Sequence, residues 1–182
     1  MTYQQKRSWG KRLLTGLSAL IFGAAGSGCN GYATARTGSF DPQRETVTSY
    51  SPIFDVELAS GGNLNNQVSL EGTLGYNTSS AENISSRNLR VGARLKASVL
   101  SDKKRRWDVR VTAGAGVLHY EDEVAGTIQS FGDTPYFECG LEGSADIGKS
   151  LTLGGGVSEV FTPDNENSSE SLRFYGSVGV RF

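Results

Sequence analysis

Among 182 residues there is one histidine and there are two cysteines, too few for a His/Cys metal site. The longest apolar run, "LLTGLSALIFGAA", has thirteen residues, short of the about 20 that a transmembrane helix needs. Nor is there an excess of bases. Beyond residue 28 the chain carries 14 bases against 19 acids, a net charge of −5, which excludes the basic face that nucleic-acid binding requires. With only four prolines, 24 glycines and 37% apolar residues, the chain is neither disordered nor collagen-like, and its length suits one domain.

The apolar run belongs to the N-terminus. It follows the basic stretch "KRSWGKR" and ends in the small residues "GSGC", the order of a secretory signal, assigned to residues 1–28. Cys29 stands directly after that exit, where a lipoprotein signal places its lipidated cysteine, although Gly26 replaces the aliphatic residue usual three positions earlier. Cleavage after Ala25, after Gly26, or after Ala35 in "ATA" stays open. So does a Cys29–Cys139 disulfide, since two cysteines alone do not establish a bridge.

What the chain does have is alternation. Phe54, Val56 and Leu58 oppose Asp55 and Glu57; Val68, Leu70, Leu74 and Tyr76 oppose Ser69, Glu71 and Thr73. In "LRVGARLKASV", Leu89, Val91, Ala93, Leu95, Ala97 and Val99 oppose Arg90, Arg94, Lys96 and Ser98. "WDVRVTAGAGVLHY", "YFECGLEGSADI", "LTLGGGVSEVF" and "SLRFYGSVGVRF" continue the period of two, so seven two-faced strands are expected and no helix.

Connections alternate in length: "GGNLNN", "SDKKRR" and "GKS" are short, whereas residues 77–88, 121–134 and 163–171 read as long polar loops. That asymmetry fits a transmembrane barrel with tight periplasmic turns and longer external loops. The charged face mixes signs, with Asp55, Glu57, Glu71, Asp108, Glu138, Glu142 and Asp146 against Arg90, Arg94, Lys96, Arg110 and Arg173. Such a face can pair with itself inside a narrow barrel and close it. Aromatics gather at strand ends: Trp107 and Phe182 at the short-turn end, Tyr76, Tyr120, Phe137, Phe161 and Phe174 at the other, as two membrane girdles do. The competing arrangement is a secreted or lipid-anchored soluble barrel that turns the same apolar faces inward around a small apolar ligand.

Phe182 ends the chain, and Val180, Val178 and Phe174 precede it at even spacing. This ending resembles the C-terminal assembly signal of bacterial outer-membrane proteins, and the length and strand spacing resemble the small barrels of the OmpX and OmpA-transmembrane type. The resemblance implies an all-β, up-and-down antiparallel transmembrane β-barrel of eight strands, with residues 48–182 as the barrel and residues 29–47 as an N-terminal segment that supplies a first strand and loop. It also implies an outer-membrane location, with outer-membrane lipid and the barrel-assembly machinery as partners. Even strand number then requires an eighth strand from residues 29–47, where only "CNGYATARTGSF" offers one, and this speaks against cleavage after Ala35. Glu57, Glu71, Arg90, Arg94, Asp108, Arg110, Glu138 and Glu142 are the expected lumen charges. Glu159 departs from the pattern, since it falls on the apolar face between Val157 and Phe161; a bulge near Val160 or a position at headgroup level would accommodate it.

Chemistry is sparse. His119 lies at a strand end beside Tyr120 and Glu121 and reads as a solvated rim residue, with no second histidine to support it. "GGG" at 154–156 has neither the lysine nor the helix of a phosphate loop. The acids at 121–123 and 163–170 suit solvated loops. The sequence thus points to no enzyme and no cofactor, and to a structural or surface-interaction protein.

Overall fold

The computed structural model describes residues 31–43, 53–81, 84–102, 104, 106–124, 127–163 and 169–182. Residues 1–28, expected to be a secretory signal, Cys29 and the acids at 164–168 lie outside the described residues.

Eight strands form one closed antiparallel barrel: β1 (Gly31–Gln43), β2 (Ile53–Asn63), β3 (Val68–Ala81), β4 (Ile84–Ser101), β5 (Trp107–Val124), β6 (Thr127–Ile147), β7 (Leu151–Thr162) and β8 (Ser169–Arg181). Each pairs with its sequence neighbours, and β1 pairs with β8 to close the ring. The strand that alternation left doubtful is β1. Its outward side carries Ala33, Ala35, Thr37 and Ser39 among the described side chains, too small to show as an apolar face, and ladders with both β2 and β8 hold it in place.

A cross-strand path starting at Gly31 runs through Gly62, Leu70, Leu95, Ala113, Cys139, Glu159 and Leu172, and re-enters β1 at Asp41, ten residues further on. Strands that gain ten residues of stagger around eight positions must tilt, by roughly 35–45°. The tilt leaves a bore that side chains can fill.

The alternation decides which face is which. Arg94 and Lys96 are 1% and 2% exposed, while Leu95 between them is 48% exposed. Leu58, Leu70, Val111, Val117, Leu141, Leu153, Val178 and Val180 also point outward. A soluble barrel requires the opposite disposition, so the ligand-binding alternative is corrected here: its apolar cavity is filled by charge.

The connections differ from expectation. Residues 77–88 and 121–134, which read as loops, are mostly strand: β4 and β5 reach 18 residues each and β6 reaches 21, about twice the 9–11 that cross a bilayer. Polar side chains on both faces hid the ladder there, because neither face is apolar beyond the membrane. Tyr120 is also corrected. Opposite Gly132, it has the inward parity of Thr112 and does not belong to the outer girdle.

The tight turns have evident causes. Asn65 Oδ1 accepts the N–H groups of Gln67 (2.7 Å) and Val68 (2.8 Å) between β2 and β3. Gly148, at φ 78°, turns β6 into β7 in a conformation that a side chain disfavours. Asp102 accepts hydrogen bonds from the Arg106 backbone N–H and, at 3.1 Å, from Arg106 Nε, closing the β4–β5 turn. Desolvation raises the Asp102 carboxyl, but the bonds from Arg106 and the Trp107 backbone together with the Arg106 charge outweigh it and hold the group below its ordinary value.

Candidate functional site

The barrel interior is where the chain's chemistry is concentrated. Five bases (Arg36, Arg90, Arg94, Lys96, Arg173) and five acids (Asp55, Glu57, Glu71, Glu138, Glu142) point inward from six of the eight strands, all buried. Their formal charges cancel.

The contacts form one connected network. Arg36, on β1, reaches Glu57 Oε1 (2.8 Å), Glu71 Oε1 (2.8 Å) and Glu142 Oε2 (3.0 Å). Arg94 reaches Glu57 (2.8 Å), Glu71 (2.8 Å) and Glu138 (2.7 Å). Lys96 Nζ bridges Glu71 (3.0 Å) and Glu142 (2.8 Å). Toward the long-strand end, Asp55 is held between Arg90 and Arg173, and Arg173 continues to Glu57 at 2.9 Å. Removing such charges from water costs several kcal/mol per ion, roughly, and dense mutual pairing is what offsets it. Compensation is incomplete: Arg36 Nε, Arg94 Nε and Arg173 Nη2 are buried without an acceptor.

Tyrosines brace the network. Tyr175 OH donates to Glu142 (3.2 Å) while its ring lies beneath Arg173, 4.8 Å from guanidinium carbon to ring centre. Tyr32 OH donates to Glu71 (3.2 Å). Glycine leaves room both for neighbouring backbone and for rings: a methyl group on Gly156 would stand 2.5 Å from Leu141 O and 2.6 Å from Tyr175 OH, and one on Gly116 would meet Val91 O and stand 2.8 Å from Cε1 of Tyr136.

Six of the eight expected lumen charges, Glu57, Glu71, Arg90, Arg94, Glu138 and Glu142, meet in this network. Asp108 and Arg110 do not. They pair with each other at 2.6 Å nearer the short-turn end, beside a cavity of about 170 Å³ that Lys96 and Glu142 also line. Asp55, Lys96 and Arg173 complete the network from the charged face already legible in the sequence. Arg36 had no such signal, because the strand around it is too weakly patterned to assign a facing.

Outside the barrel, Phe174, Val178, Val180 and Phe182 share the outward face of β8. Phe182 also closes the seam, its N–H bonding to Gly31 O at 3.0 Å. Glu159 faces outward with no bulge, opposite Cys139 and Leu172 and two residues from Phe161, which pairs with Phe137. Of the two accommodations, only the position beside the upper aromatics remains. Cys139 is exposed on the same outer surface. His119 Nδ1 lies 2.8 Å from Asp133 on the strand extensions.

No protein-family model and no curated protein matches the chain. Solved structures do. Neisserial surface protein A superposes with a TM-score of 0.71 at 13% identity, covering 84% of this chain and 97% of that one. Ail, the attachment invasion locus protein of Yersinia pestis, gives 0.60 at 11%, covering 84% and 99%. The outer membrane protein OprG from Pseudomonas aeruginosa gives 0.55 at 10%, covering 85% and 96%. With these neighbours, closed eight-strand topology and an apolar exterior, the chain has the fold of the small bacterial outer-membrane β-barrels.

Proposed function

We propose that this protein resides in the outer membrane as a closed barrel that does not conduct solutes, an anchor whose extended β3–β6 strands and adjoining loops form a contact surface outside the cell. The observation that carries the reading is the charge-balanced plug of five bases and five acids across the bore, inside a wall of exposed aliphatic side chains. An open pore would keep such residues on a solvated wall, each paired with water.

Outer-membrane lipid and the barrel-assembly machinery are the partners this reading requires, with Phe174, Val178, Val180 and Phe182 as the assembly signal. Lipidation of Cys29 would add a second attachment to the barrel's own. Two fold neighbours bear names that speak of surface and attachment, which favours surface contact over catalysis as the role.

The test is a pair of measurements on purified protein. Unboiled samples should migrate apart from boiled ones and partition into detergent, as inserted barrels do. Proteoliposomes should then show no swelling in small sugars beyond protein-free controls. Swelling at porin-like rates would overturn the plug, and quantitative recovery without detergent would overturn the membrane location.

A further inference from the structure

Among the described residues, the exposed bases of the short-turn end form an arc on one side. Lys104 and Arg106 lie in the β4–β5 turn, Lys149 in the β6–β7 turn and Arg181 at the end of β8, all exposed. Backbone hydrogen bonds make these three elements contiguous: Asp146 N–H to Arg106 O at 2.7 Å, and Arg181 N–H to Ser150 O at 2.8 Å. The remaining short turn, Leu64–Gln67 between β2 and β3, carries no charge. Two acids share the arc's rim. Asp102 is committed to Arg106, and Asp146 to Arg181. Among the described residues, no carboxylate forms an ion pair with Lys104 or Lys149.

The arc borders the apolar band directly. Arg106 precedes Trp107, Lys149 sits between Ile147 and Leu151, and Arg181 precedes Phe182, all four apolar neighbours being exposed. Cations one or two residues beyond an aromatic girdle stand at headgroup height, where an anionic lipid attracts each base by an amount equal to roughly fivefold in affinity. The other end has the opposite sign. There Glu121, Glu123 and Asp133 stand against Arg87 among the side chains the structure describes.

We propose that Lys104, Arg106, Lys149 and Arg181 form a selective docking site for anionic phospholipid headgroups, of the phosphatidylglycerol kind, in the periplasmic leaflet. The site rests on the outer-membrane reading above. It holds anionic lipid against the β4–β8 sector and leaves the uncharged β2–β3 sector to zwitterionic lipid.

Trp107 reports on it. In the full chain with Trp9→Phe, which leaves Trp107 as the sole tryptophan, a small mole fraction of brominated phosphatidylglycerol in phosphatidylcholine bilayers should quench fluorescence severalfold more than the same fraction of brominated phosphatidylcholine. Raising salt should reduce the preference, and the combination K104Q, R106Q and K149Q should abolish it. Equal quenching by the two lipids, in protein whose heat-dependent migration proves insertion, would overturn the site while leaving the outer-membrane reading intact. Absence of insertion would strike at that reading instead. Sedimentation with purified cell-wall sacculi that the triple variant loses, without any lipid preference, would also overturn the proposal and assign the arc to the wall.

Discussion

Arg36 on β1 and Glu142 on β6 meet across the barrel, Nη2 to Oε2 at 3.0 Å, although 106 residues and several strands separate them. The same guanidinium holds Glu57 and Glu71, so one side chain ties β1 to β2, β3 and β6 through the centre of the bore. In a barrel whose outer face meets an apolar medium, the hydrophobic core lies outside and the interior is held by electrostatics.

Removing Arg36 should therefore be costly. Arg36→Ala leaves three buried carboxylates short of a cation, and a loss of about 3–5 kcal/mol is expected from urea unfolding in detergent micelles. A double-mutant cycle with Glu142→Gln should return a favourable coupling energy. A loss under about 1 kcal/mol would mean that water enters and replaces the guanidinium.

Opposite faces of β4 should respond in opposite ways. Leu95→Arg is expected to destabilise the inserted barrel by about 2–4 kcal/mol, the cost of a base near the bilayer midplane. A spin label at 95 or 111 should collide with oxygen and be shielded from water-soluble relaxants. A label at 94 replaces a 1% exposed arginine and should be immobile. Mobile, water-exposed labels at 94 would contradict the inward facing of the charges.

Phe182 separates assembly from stability. Its deletion, or Phe182→Asp, should reduce the heat-modifiable, membrane-inserted form in cells. Refolding of the same variant into detergent should largely survive, since its ring is 59% exposed. Wild-type amounts of inserted protein in cells would remove the assembly role.

Gly156→Ala tests the fit of the tyrosine brace. The added methyl would stand 2.5 Å from the Leu141 carbonyl oxygen and 2.6 Å from Tyr175 OH, so that strand or ring must shift, at a cost of about 1–3 kcal/mol as in overpacking. Thermal unfolding in micelles should show it, and an unchanged midpoint would indicate a backbone that yields freely.

Much of this was legible because a strand's period of two writes both environments into adjacent letters. Arg94–Leu95–Lys96 is the plainest case, where one apolar residue between two bases can only be satisfied by a wall with unlike sides. The strand extensions escaped because alternation vanishes where polar residues fall on both faces, as in "NTSSA" and "LHYEDEV".

By itself, then, the amino-acid order determined the strand pattern, the tight turns, the apolar and charged faces and the aromatic ending, all set within a few residues of one another. Only the tertiary structure decided that "GYATARTGSF" is a strand, and that Arg36 is the residue on which three distant carboxylates converge. The physical reason is closure. β1 has little apolar face of its own, and its backbone donors and acceptors are satisfied from both sides, by β2 and by β8, only once the barrel is closed.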